Sequence, residues 1–171
     1  TAEALKVAEL VSACGAHRIQ AVIIADDIAY TEATFARPQV LRQVLFPHYE
    51  PILERVRATG AASLFHSCGN LTDVIPDLIG CGFSGLVACE SGCQDLLKLK
   101  QEYGRDLTFF TGATTEFLEA EAFGPELREP FMAQVAALAR GGGFVLSTPC
   151  GISTPKQLER LKTLYRWVDE A

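Results

Sequence analysis

Short apolar runs that end in small or polar residues recur along the chain, and they alternate with longer stretches whose apolar positions return every three or four residues. Runs of the first kind predict strands and those of the second predict helices. Five strands follow: 21–25 ending in Asp26-Asp27, 62–65 ending in His66, 85–88 ending in Cys89-Glu90, 107–110 ending in Thr111-Gly112, and 144–146 ending in Ser147-Thr148. Each is apolar throughout, not alternating, which is the pattern of parallel strands buried on both faces.

The helices between them carry readable ends. Arg37-Pro38 opens a long one that closes at Thr59-Gly60, and Thr154-Pro155 opens the last, with Thr as N-cap and Pro in the first turn. Gly80, Gly104 and the Gly141-Gly142-Gly143 cluster end others. Successive strands start roughly 20 to 40 residues apart, the length of one βα unit, so the fold class is α/β with a parallel sheet and helices outside it. Five such units fit either a small open doubly wound sheet or part of a (β/α)8 TIM barrel, which typically needs ~250 residues. The polar residues close consecutive strands at the same C-terminal end, and in a barrel those ends meet at one site. A partial barrel of about five units is therefore favoured.

At 171 residues the chain is long enough for one domain and short for two. An apolar share of 49% with 21% charged residues excludes disorder and collagen-like repeats. A net charge of −6 has the wrong sign for a surface that neutralises nucleic-acid phosphates. No apolar run approaches the roughly 20 residues that cross a bilayer, and no signal-like segment opens the chain. These features predict a cytoplasmic protein with neither nucleic acid nor membrane as partner. The first residue is Thr1, which suggests a processed product or part of a longer polypeptide.

Six cysteines in a long apolar chain without a secretory signal predict reduced thiols. Cys14 on an apolar helical face and Cys81 beside a glycine turn read as small buried hydrophobes. Cys68 and Cys150 differ, because they sit in His66-Ser67-Cys68-Gly69 and Thr148-Pro149-Cys150-Gly151. Along an extended chain His66 and Cys68 point to one side and Ser67 to the other. Glu90 leaves the next strand end and Cys150 the last. Zinc takes nitrogen, sulfur and carboxylate ligands in a tetrahedron at roughly 2.0 to 2.3 Å, and thiolates favour it over magnesium or calcium. A His-x-Cys pair alone is a weak signal; an acid and a further cysteine at other strand ends strengthen it.

With these residues in view, the chain resembles the C-terminal part of the uroporphyrinogen decarboxylase superfamily, and within it the zinc-dependent, cobalamin-linked methyltransferases. The segments that carry the resemblance are Asp26-Asp27, Phe46-Pro47-His48-Tyr49 with the helix up to Gly60, His66-Ser67-Cys68-Gly69-Asn70, Lys100-Gln101-Glu102-Tyr103-Gly104, Phe110-Thr111-Gly112 and Gly141-Gly142-Gly143-Phe144-Val145-Leu146. The resemblance implies zinc held by His66, Cys68 and Cys150, with Glu90 as the fourth ligand, near Cys89, Cys93 and Asp95. It implies that a small thiol such as coenzyme M or homocysteine, activated on that zinc, attacks the methyl group of a methylated corrinoid. No Asp-x-His-x-x-Gly corrinoid-binding segment is present, so the corrinoid would arrive on a partner protein.

Members of that superfamily are complete barrels, whereas this chain resembles about the last five units. An incomplete barrel leaves strand edges and apolar surface exposed, so association with a missing N-terminal part, another chain or a second copy is expected. Two other readings stand beside the methyltransferase: a non-catalytic zinc-binding half-barrel subunit, and a decarboxylase-like domain acting on tetrapyrroles. The arginine and aspartate signatures of the decarboxylases belong to the part absent here, and those enzymes work without a metal.

Other polar residues carry less. Asp26 and Asp27 are candidates for orienting substrate or for hydrogen bonding to His66, against the plainer role of a strand-end turn. Asn70 reads as the cap of a helix from Leu71. His17 and His48 have no metal-like neighbours, and Arg37, Arg42, Arg55 and Arg57 read as a solvated helix face. Gly141-Gly142-Gly143 precedes a strand, so it is not a phosphate loop.

Overall fold

Chain connectivity in the computed structural model follows the predicted alternation of strand and helix, and residues 2–13, 19–148 and 151–171 are described. The chain divides into two compact units, Thr1–Val87 and Ala88–Ala171.

In the first unit the elements are α1 (Ala2–Ala13), β1 (Ala21–Ala25), α2 (Pro38–Val44), α3 (Glu50–Ala58), β2 (Ala62–His66), α4 (Ile75–Cys81) and β3 (Gly85–Val87), with short 3-10 turns at Phe46–His48 and Thr72–Val74. β1 pairs with β2 in parallel from Ala21↔Ala62 to Ala25↔His66, and β2 with β3 from Leu64↔Gly85 to His66↔Val87. The core beneath them holds Leu53, Val56, Phe65, Val74, Ile75, Leu78 and Leu86, all fully buried. Tyr49, Phe65 and Phe83 pack as a triangle of rings with centroids 5.0 to 5.7 Å apart, a spacing at which tilted aromatic pairs attract.

The second unit contains α5 (Leu96–Tyr103), β4 (Thr108–Gly112), α6 (Thr115–Leu118), α7 (Pro125–Ala139), β5 (Phe144–Ser147) and α8 (Pro155–Asp169). β4 and β5 are parallel, from Phe109↔Phe144 to Gly112↔Ser147. Its core centres on Ala113, Phe117, Leu118, Phe131, Val135 and Leu164.

Several boundaries differ from the sequence reading. The predicted continuous helix from Pro38 to Thr59 is two helices separated by the Phe46–His48 turn, because Pro47 offers no N–H to the preceding turn and its ring clashes with it. α4 passes through Gly80 and ends at Gly82, whose φ of 106° gives the left-handed C-cap. β3 stops at Val87, because Ala88 has a φ of 66° that no strand can hold. β1 is not buried on both faces: Ala21, Ile23 and Ala25 are exposed along one side, with Ile23 at 54%. Alternation along a strand puts all three on that face, and nothing among the described residues covers it.

Candidate metal centre

Parallel pairing in register brings the C-terminal ends of β1 and β2 out together, with Ala25 opposite His66. The ladder continues one step further, since the Asp26 N–H donates to the His66 carbonyl at 3.0 Å. Asp27 then reaches across to the turn after β2, where its Oδ1 accepts the Cys68 backbone N–H at 2.9 Å. The same oxygen lies 3.9 Å from His66 Nε2, beyond hydrogen-bond range. Asp27 thus fixes the Cys68 backbone directly and makes no hydrogen bond to the imidazole.

Ser67 turns inward between the two candidate ligands, as strand alternation requires. It is 1% exposed; its hydroxyl accepts the Ile28 N–H at 3.1 Å and donates to the Cys68 carbonyl at 2.8 Å. Gly69 follows with a φ of 86°, and a Cβ there would stand 2.5 Å from the Tyr30 carbonyl oxygen. Only glycine allows this approach, which lets the Asn70 N–H donate to that carbonyl at 2.8 Å. Asn70 Oδ1 in turn accepts the Thr72 N–H at 3.0 Å, but no helix starts at Leu71 as expected: the segment that follows is the short 3-10 turn Thr72–Val74, whose N-cap is Leu71 and not Asn70. The two loops beyond β1 and β2 are therefore stitched together.

Asp26 has a partner that sequence reading did not single out. The buried Tyr49 hydroxyl donates to its Oδ2 at 2.9 Å. Burial first, and then the bond to Asp26, raise the Tyr49 pKa, so it stays a donor through the ordinary pH range. A period-based reading could flag Tyr49 only as a core position of its helical segment.

The result is a convergence of Asp27, His66 and Cys68, each offering one ligand atom, with all three atoms within 4.8 Å of one another. Donors that share one tetrahedral zinc at ~2.0–2.3 Å lie roughly 3.3 to 3.8 Å apart, so rotation of these side chains would bring the three atoms onto one ion. Carboxylate, imidazole and thiolate are all zinc ligand types, and the group fits the ion. Asp27 and Cys68 are exposed and His66 is half-buried, which leaves the group open to a small molecule.

Glu90 belongs to the second unit, where its Oε2 accepts from Cys93 Sγ at 3.3 Å. With Ser91, Gly92 and Thr114 it lines a cavity of about 160 Å3. Cys150 and Pro149 lie outside the described residues, as do Cys14 and His17. Burial pushes the Cys89 thiol up to about 12 and also raises that of Cys81, so neither is a thiolate at neutral pH. Among the described residues no helix is long and apolar enough to cross a membrane.

Residues 4–171 match the family model described as Uroporphyrinogen decarboxylase (URO-D). The chain is 26% identical over 149 residues to the methylcobamide:CoM methyltransferase MtaA of Methanosarcina barkeri, a match covering 87% of this chain and 41% of that protein. Among solved structures, a methyltransferase from Methanosarcina mazei is similar with a TM-score of 0.62 and 23% identity, over 88% of this chain and 42% of that one. This likeness establishes the fold: strands and helices alternate as in part of a URO-D-like barrel. The chain spans 41% of the length of the curated relative it matches.

Proposed function

Because the chain belongs to the uroporphyrinogen decarboxylase family, we propose that it is a zinc-dependent methyltransferase, or the C-terminal part of one, which moves a methyl group from a methylated corrinoid protein to a small thiol. In this reading residues 1–171 act as a single domain equivalent to the C-terminal portion of a URO-D-like barrel. The observation that carries it is the convergence of Asp27, His66 and Cys68 at adjacent strand ends. Similarity to a protein described as a methylcobamide:CoM methyltransferase supports the choice of reaction.

His66, Cys68 and Cys150 are the residues that would hold zinc, with Glu90 as the fourth. Zinc, when bound, lowers the pKa of an incoming thiol so that its sulfur is a nucleophile at neutral pH. The chain's own residues set up this chemistry. Asp27, through the Cys68 N–H, and Ser67, through the Cys68 carbonyl, hold the Cys68 backbone from both sides. Tyr49 anchors Asp26, whose own N–H holds the His66 carbonyl. Imidazole and thiol are thereby presented together before any substrate arrives, and this positioning lowers the cost of binding. Asp26 and Asp27 are the residues that would orient the incoming thiol substrate, Asp27 with its side chain exposed and Asp26 half-buried. Methyl transfer from cobalt to such a thiolate sulfur would leave the electron pair of the broken cobalt–carbon bond on the corrinoid.

The uncovered apolar face of β1 supports the further reading that the chain works with the remainder of a barrel. The second reading is a non-catalytic zinc-binding subunit, which would hold the metal at the same group without methyl transfer. The test supplies zinc, methylcobalamin and coenzyme M or homocysteine to the purified chain and follows loss of the methyl-cobalt absorbance. Methyl transfer abolished by Cys68→Ala supports the enzyme. Zinc binding without transfer supports the subunit, and absence of zinc binding overturns both. Zinc retained in Glu90→Gln but lost in Asp27→Asn would replace Glu90 by Asp27 in the ligand set.

A further inference from the structure

In the second unit a cavity of about 400 Å3 opens between the C-terminal ends of α5 and α7, lined by Lys100, Arg105 and Arg140 together with Gln101, Leu97 and Ala137. Its volume falls in the range of small-molecule sites. It carries three cations and no carboxylate, although the whole chain has a net charge of −6. α5 leads into β4 and α7 into β5, so the cavity lies at the N-terminal ends of these strands. Substrates of barrel enzymes enter at the opposite, C-terminal ends.

Arginine pairing in this unit separates two residues from the rest. Arg128 donates to Glu170, Arg160 to the Leu118 carbonyl, and Arg166 to Thr163. Among the described residues Arg105 and Arg140 are in no ion pair, and both line this cavity. Two converging helix C-termini favour cations by themselves. Lys100 already fills that role, because its buried ammonium donates to the Gly142 carbonyl and so locks the glycine turn against α5. Gly143, with a φ of 64°, brings that turn so close that a Cβ would meet the Gly104 carbonyl oxygen at 2.7 Å. The cavity wall is therefore fixed, and two exposed guanidinium groups remain without an internal task.

We propose that this cavity binds a small phosphate-bearing ligand, held by the Arg105 and Arg140 guanidinium groups with the Lys100 ammonium behind them. A phosphoryl group carries up to two negative charges on three terminal oxygens, which suits two guanidinium forks better than a single carboxylate does. The glycine backbone is not the cradle; the side chains are. From its place at the N-terminal strand ends, the ligand is an effector or an anchoring group and takes no part in methyl transfer.

Calorimetric titration with pyrophosphate at fixed ionic strength tests this on the purified chain and on the Arg105→Ala/Arg140→Ala variant. The proposal predicts saturable binding weakened at least about tenfold in the double variant, with an unchanged far-ultraviolet circular dichroism spectrum. It also predicts unchanged binding in His66→Ala, which separates this site from the metal centre. Should the double variant unfold, Arg105→Gln and Arg140→Gln singly carry the comparison, each weakening pyrophosphate several-fold. Absence of saturable binding, equal affinity with and without the two arginines, loss of binding in His66→Ala, or citrate binding as tightly as pyrophosphate would overturn the assignment.

Discussion

Tyr49 and Asp26 show how a single buried hydroxyl bears on the site. Replacing Tyr49 by Phe removes the donor while keeping the ring packing, and should lower stability by about 1 kcal/mol in urea unfolding at neutral pH. The bond also has a pH signature. Because the folded-state pKa of Tyr49 is raised above the ordinary 10.0, the unfolded chain loses this proton first as pH rises. The stabilisation is then complete below about pH 10 and declines above it. Wild type should lose stability between pH 9 and 11 more steeply than Tyr49→Phe; parallel curves would contradict the coupling. Cysteine reactivity gives a second expectation at this scale. Iodoacetamide at pH 8 should modify the exposed Cys68 well before Cys89, which is 1% exposed with a thiol pushed up to about 12. Added zinc should slow the Cys68 reaction, and peptide mass spectrometry reads both. The polar strand ends, His66, Cys68 and Asp27 among them, were legible in sequence because apolar runs mark where a parallel strand stops. The Tyr49 contact was not, since Tyr49 lies 23 positions along the chain from Asp26 and only tertiary packing brings them together.

Secondary elements were legible where local chemistry decides them. Thr154 accepts the Gln157 N–H and Gln157 returns the bond, a full capping box at the predicted start of α8. Thr154→Ala should therefore cost about 1 kcal/mol in thermal or chemical unfolding. The break at Pro47 was visible in principle, because proline in a helix interior forbids the hydrogen bond that continuity needs. Helical periodicity on both sides concealed it. Left-handed Ala88 carried no sequence signal at all, since a non-glycine residue adopts that conformation only when its surroundings impose it. Gly69 belongs with the elements too, because its approach to Tyr30 joins the loops after β1 and β2. Gly69→Ala should destabilise by more than about 1 kcal/mol and weaken zinc binding as well. Unfolding and zinc titration on the same variant check both parts.

At the scale of the whole molecule, membership in the uroporphyrinogen decarboxylase family and the α/β alternation were legible from motifs and periodicity together. The exposure of Ile23 was not, because an apolar strand looks the same in sequence whether or not its second face is covered within the chain. The central claim is that the ends of β1 and β2, separated along the chain, assemble a zinc-binding group from Asp27, His66 and Cys68. Zinc-edge X-ray absorption on the metal-loaded protein, with metal content measured in His66→Ala and Cys68→Ala, tests it most directly. The account predicts a four-coordinate ion with sulfur at ~2.3 Å and nitrogen or oxygen at ~2.0–2.1 Å, and loss of the metal in both variants. An all-oxygen shell, or zinc content unchanged in Cys68→Ala, would contradict it.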